Sequence, residues 1–138
     1  MTSLYDSTPL RDITEPFTRH LGLQLTALSE GYACLTMPVA ESCLNVWGTP
    51  HGGALFTLCD VAGGLAAIAL RREAVVTVSA SVDYLAAAAP KGSLTAHGRV
   101  DHAGGRTVFC TAEVTDEDGT PVARCHGVYH CTGKAVQV

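Results

Sequence analysis

Residues 52–70 read GGALFTLCDVAGGLAAIAL. No other stretch limits the possible folds so much. The run is long enough for about five helical turns and is apolar on every side. A helix of that kind must be covered all round, by a bilayer or by the rest of its own domain. At 19 residues it sits at the lower limit for crossing a membrane. It also holds four glycines and an aspartate, Asp60, at its middle, and the chain has no second apolar span. The expectation is therefore a core helix over 51–72, wrapped by its own domain, with no membrane partner. Arg71 and Arg72 fall in its last turn, where cations suit the helix dipole.

The rest of the chain supplies the wrapping. Residues 22–29 and 32–39 alternate polar and apolar around Ser29-Glu30-Gly31 and read as a hairpin. Residues 41–50 are loop, punctuated by Gly48 and Pro50. Beyond the helix, 74–85 and 92–103 keep a two-residue period, and a hairpin follows around the turn DEDGT. In its first strand Val108, Cys110, Ala112 and Val114 share one face, and Thr107, Thr111, Glu113 and Thr115 the other. Residues 1–21 read as an N-terminal helical segment, with 9–20 a short amphipathic helix or two turns interrupted at Pro16. No repeat or linker breaks the chain, so 1–138 is expected to be one α+β domain with the sheet curled round its one long helix.

Composition removes several function classes. The net charge is −4 and 16% of residues are charged. Without a concentrated basic face, phosphate neutralisation along a nucleic acid is not expected. Six cysteines are present, none in a CxxC pair. The N-terminal residues carry no charged-then-apolar leader pattern. Reduced, buried thiols in a cytoplasmic protein are the expectation. The run CHGVYHC (125–131) suggests a metal site, but on a strand Cys125 and Cys131 face away from His126 and His130. Four ligands so arranged cannot converge on one ion.

Asp60 is the first candidate for chemistry. An ionised carboxylate in apolar surroundings costs several kcal/mol unless paired or hydrated. No Lys or Arg lies within one helical turn of it, and its helical neighbours Phe56, Gly63 and Gly64 form no polar stripe. Unpaired acids in such settings mark functional sites. The second candidate is His51-Gly52-Gly53, at the expected helix start. Free backbone N–H groups and the positive end of the dipole meet there, and two glycines allow close approach. Such a group can polarise a carbonyl and hold a developing oxyanion. Asp60 comes nine residues after His51, about 13 Å along the axis and on the opposite side of the helix. One chain cannot bring the two features to one substrate. If both serve one site, two antiparallel copies of the helix must share two composite sites, which requires a two-fold homodimer.

Asn45, His51, Gly52, Gly53 and Asp60, followed by the strand SVDYL (81–85), resemble the hotdog-fold acyl-CoA thioesterases. Within that family they are similar to the phenylacetic-acid-degradation type. The likeness runs from about Gly22 to Cys131. It implies a curved antiparallel sheet of about five to six strands round one central helix, in a homodimer or homotetramer. It implies hydrolysis of an acyl-CoA, with no cofactor apart from the CoA of the substrate. Carried over by residue, Asp60 is the catalytic carboxylate, acting as general base on water or as nucleophile. The N–H of Gly52 or Gly53 polarises the thioester carbonyl, and Asn45 and His51 orient substrate or water. Thr77 stands where some relatives carry a hydroxyl near the nucleophilic water, and Arg106 lies in a loop that in relatives lies near CoA. Ala86 follows Tyr84-Leu85 where the family often has a basic residue.

Trp47, Phe56 and Tyr84 are candidates to line an acyl pocket, although large residues are more often core. Arg71, Arg72, Arg99, Lys91 and Arg106 are the cations available for CoA phosphates. Asp83 is expected on the strand face of Thr77, Ser79 and Ser81; it could be a second acid of the site, but a polar strand face is the simpler reading. Two rival functions follow from the same residues. One is a non-catalytic acyl-CoA-binding module, which gains nothing from an unpaired acid beside a carbonyl. The other is an enoyl thioester hydratase, which in related folds pairs its Asp with a His a few residues on. Here no His follows Asp60 until His97.

Overall fold

A computed structural model describes residues 9–10 and 15–138. Helix α1 (Pro16–Leu21) leads into strands β1 (Gln24–Ser29) and β2 (Tyr32–Pro38), and one 3-10 turn (Glu41–Cys43) precedes the long helix α2 (Gly52–Arg71). Strands β3 (Glu73–Tyr84), β4 (Ser93–Gly104), β5 (Thr107–Thr115) and β6 (Pro121–Ala135) complete the chain. All six strands form one antiparallel sheet in the order β1-β2-β4-β5-β6-β3. The expected α+β architecture is the one observed.

Pro16 is the first residue of α1. It occupies the first turn, where a missing N–H costs nothing, and Gly22 ends the helix in the left-handed region at φ 77°. Residues 1–8 and 11–14 of the expected N-terminal helical segment lie outside the described residues.

α2 occupies the hollow of the sheet. Leu58, Cys59, Ala62, Ala66 and Ala67 are fully buried against it. The mean hydropathy of its best 18-residue window is 1.8, and 61% of that window is buried inside the domain. The small residues matter for the approach: a Cβ on Gly98 of β4 would collide with the backbone of Ala62. The alternation read from sequence holds on β5, where Val108, Cys110, Ala112 and Val114 are all buried. On β6, Cys125, Tyr129 and Cys131 are buried while His126 and His130 are exposed, so the thiols and imidazoles face opposite ways. All six cysteines are buried and free.

One register detail corrects the sequence reading. β3 pairs with β6, and a bulge falls between Thr77 and Ser79. The extra residue reverses which side chains face inward. Thr77 faces the helix, yet beyond the bulge Ala80 and Val82 pack on the core. Ser79, Ser81 and Asp83 take the outer face. Asp83 therefore does not share the face of Thr77; it pairs in register with Arg124.

Candidate active site

The middle of α2 places Asp60 in the wall of a cleft of about 220 Å³. Its other walls include Glu15, Thr18 of α1, Leu23 just before β1, Leu25 of β1, Leu35 of β2, Leu65 and Ile68 of α2, and Val75 of β3. Asp60 is half-buried. Among the described residues its carboxylate has no cation partner; the ion pairs present are Lys91–Asp118 at 3.4 Å and Arg124–Glu113 at 3.3 Å. Two hydroxyls hold it instead. Thr77 Oγ1 donates to Asp60 Oδ1 at 2.8 Å, and Tyr129 Oη lies 3.3 Å from the same oxygen and 3.0 Å from the Asp60 carbonyl. Thr77 and Tyr129 are direct cross-strand partners on β3 and β6, so one rung of the sheet delivers both hydroxyls to one helical residue. Burial first, and then the charge of Asp60, push the Tyr129 hydroxyl well above the ordinary tyrosine range. It stays a neutral donor at any working pH.

The start of α2 is built separately. His51 is its N-cap, with Nδ1 accepting from the Gly53 N–H at 2.8 Å. The Ala54 and Leu55 N–H groups go to the His51 carbonyl. Among the described residues the Gly52 N–H has no acceptor, as expected of the first helical residue. Of the two glycine donors named from sequence, Gly53 is thus occupied and Gly52 is open. Tyr84 packs its ring against Gly52 and donates to the Gly52 carbonyl at 2.9 Å. His51 and Gly53 line a second cleft with Phe17, Leu44 and Thr57. It shares no residue with the Asp60 cleft. The helical geometry expected from sequence therefore holds within one chain: Asp60 and the helix start open to different places.

The remaining candidates are placed as follows. Asn45 Oδ1 accepts from the Trp47 and Thr49 backbone N–H groups at 2.9 and 3.1 Å, so its side chain shapes the loop that leads to His51. Trp47 stands on that loop, 84% exposed. Phe56 packs against the core. None of Trp47, Phe56 and Tyr84 lines the Asp60 cleft. Arg106 folds back onto the Cys131 carbonyl at 2.8 Å. Sequence reasoning missed the aliphatic walls of the cleft and Tyr129. The signal for Tyr129 was present: it is an inward residue of β6, two positions after a glycine, in a sheet that must pack on a helix carrying Gly63-Gly64.

A carboxylate held by neutral donors beside a mostly aliphatic cleft can take a proton from water or attack an electrophilic carbonyl. A free N–H at a helix start can stabilise the oxyanion that results. A six-stranded antiparallel sheet curled round one helix with these features defines the hotdog-fold enzymes. The model of the Thioesterase superfamily matches residues 48–123, and this chain belongs to that family. It is PaaI-like: acyl-coenzyme A thioesterase PaaI of Escherichia coli K12 is 31% identical over 116 residues, 84% of this chain and 82% of that protein. The solved E. coli PaaI structure matches with a TM-score of 0.83 at 29% identity, over 89% of this chain and 88% of that one. The smu.793 protein of Streptococcus mutans UA159, solved bound to acetyl CoA, matches with a TM-score of 0.77 at 31% identity, covering 82% and 90%. A hypothetical thioesterase protein of Streptococcus pneumoniae TIGR4, solved with coenzyme A, matches with a TM-score of 0.76 at 31% identity, covering 84% and 91%.

Proposed function

We propose that this thioesterase hydrolyses an acyl-CoA to the free acid and CoA. The observation that carries this reading is the Asp60 carboxylate, unpaired with any cation among the described residues and set in the wall of a cleft that is mostly aliphatic, with Glu15 and Thr18 as further polar walls. In the proposed reaction, Asp60 takes a proton from water as the water oxygen bonds to the thioester carbonyl carbon. The carbonyl oxygen gains negative charge and accepts from a helix-start N–H. Collapse breaks the C–S bond, and the CoA thiolate leaves and is protonated. Attack by Asp60 itself would give a mixed anhydride that water then opens, with the same products. A thioester carbonyl is electrophilic enough that no serine nucleophile is needed. That two similar solved structures contain acetyl CoA or CoA supports the substrate class. Two further structures of the S. pneumoniae protein are an aspartate-to-alanine and a threonine-to-alanine variant, the residue types that Asp60 and Thr77 bring together here.

The active unit in this proposal is a homodimer, which pairs further into a tetramer in the cytoplasm. Asp60 of one chain faces the Gly52 N–H of the other. The separation of the two clefts supports this, and so does β3. That strand is a sheet edge 12 residues long, with Val76 and Val78 51% and 60% exposed. Long bare edges carrying apolar residues are rare unless another chain covers them. Asn45 and His51 shape and cap the helix-start half, and Trp47, Phe56 and Tyr84 belong to that half. Arg106 is the proposed contact for CoA phosphate.

The test is thiol release from a panel of short, medium, long and aryl acyl-CoAs by the wild type, Asp60→Asn and His51→Ala. Asp60→Asn should lose most of kcat and His51→Ala much less. The opposite ranking overturns the assignment of the base. Tight binding of acyl-CoA without turnover would make the protein a binding module.

A further inference from the structure

Asp60 Oδ1 and Oδ2 are not equivalent. Oδ1 receives the Thr77 hydroxyl and is within reach of the Tyr129 hydroxyl; among the described residues Oδ2 accepts nothing. The Tyr129 contact is also built rather than incidental. Its ring is 1% exposed and lies in a slot that three glycines keep open. A Cβ on Gly63 would stand 2.5 Å from Tyr129 Oη, one on Gly127 would stand 2.7 Å from it, and one on Gly64 would touch the ring at 3.4 Å. Gly63 and Gly64 lie in the middle of α2, where each glycine weakens the helix relative to alanine. The slot gives that weakness a physical reason. The Asp60 carbonyl that Tyr129 also reaches is mid-helix, already an acceptor within the helix ladder, so the hydroxyl is not needed there to satisfy an orphaned group.

We infer that Tyr129 is a positioning residue for the reaction: with Thr77 it anchors Oδ1 of Asp60 and leaves Oδ2 as the oxygen that reacts. This rests on the reading of Asp60 as the catalytic carboxylate. Tyr129 touches neither water nor thioester in this role and acts only through Asp60. Because the carboxylate hangs from a single-bonded side chain, losing one of two anchors frees its rotation. A loosened base costs turnover and leaves substrate binding alone.

Tyr129→Phe keeps the ring that fills the slot and removes only the hydroxyl. Steady-state kinetics on one acyl-CoA substrate should show kcat lowered about ten-fold or more, with KM within about two-fold of wild type. In the Asp60→Asn background the same substitution should change the residual rate less than two-fold, since a residue acting through Asp60 has nothing left to position. Thermal melts on the same samples establish that each variant is folded. Folded Tyr129→Phe with wild-type kcat overturns the inference, as does a variant that does not fold, which would assign the hydroxyl to the core. An equal loss with and without Asp60 overturns it too. A fully active Asp60→Asn would instead overturn the underlying reading, and the two failures are therefore distinct.

Discussion

The open N–H of Gly52 can be deleted almost surgically. Gly52 is the first residue of α2, the helical position where proline is best tolerated, because its N–H has no partner in the helix. The preceding residue suits proline as well: His51 has φ −67° and ψ 141°, the extended conformation that a following proline requires. Gly52→Pro therefore removes the donor while leaving the helix intact. Its steric cost is separable. A Cβ at position 52 stands 3.1 Å from the Tyr84 ring, and that residue is 54% exposed, free to give by a few tenths of an ångström. Gly52→Ala carries the same Cβ and keeps the N–H, so the ratio of the two variants reports the loss of the donor together with the ring carbon that takes the place of its hydrogen. Loss of one oxyanion donor costs about 10²–10³ in kcat, roughly 2.7–4 kcal/mol of barrier. The assay is thiol release from a medium-chain acyl-CoA, with thermal melts to compare stability. Gly52→Pro should turn over about 100-fold or more slowly than Gly52→Ala. Equal rates for the two would refute the assignment of Gly52 as the oxyanion donor.

Three further outcomes follow from the structure. Asp116 accepts three backbone N–H bonds, from Ala89, Asp118 and Thr120, each at 3.0 Å. These bonds, that from Ala89 foremost, hold its carboxyl below the usual 3.8. The stability it adds is complete above about pH 4 and is lost as pH falls through the lower folded value; Asp116→Ala should cost about 1–3 kcal/mol at pH 7, with the gap to wild type closing in melts below pH 4. If the proposed homodimer forms, Val78→Lys on the exposed edge of β3 should leave a monomer by light scattering and abolish activity in parallel; an active monomer would remove the need for a shared site. The buried thiols, with Cys110 pushed up to about 12 by burial and by the charge of Asp101, should react with an aromatic disulfide reagent only on unfolding, and fast labelling of the native protein would contradict the core as described.

Much of the fold is legible in the chain because two periods, 3.6 and 2, separate its one apolar helix from its strands. β5 keeps that period without a break, and its inward face was readable residue by residue. β3 was not, since a bulge is set by pairing with β6 and leaves no mark in its own alternation; Asp83 was misplaced for that reason. At the site, Asp60 stood out through the cost of an acid in apolar sequence, and the helix pitch alone separated it from Gly52. Tyr129 and the leucines of the cleft did not stand out. A tyrosine on a buried strand face reads as core until the register shows it opposite Thr77, and the cleft walls come from α1, β1, β2, α2, β3 and β6 together.

The shared site itself is tested most directly by mixing two dead chains. Asp60→Asn keeps the Gly52 donor, and Gly52→Pro keeps the carboxylate. When they are co-expressed and assort at random, half the dimers are mixed and each mixed dimer regains one of two sites, which restores about a quarter of wild-type activity. Activity that stays at the level of the two parent variants would contradict a site built from Asp60 of one chain and Gly52 of the other.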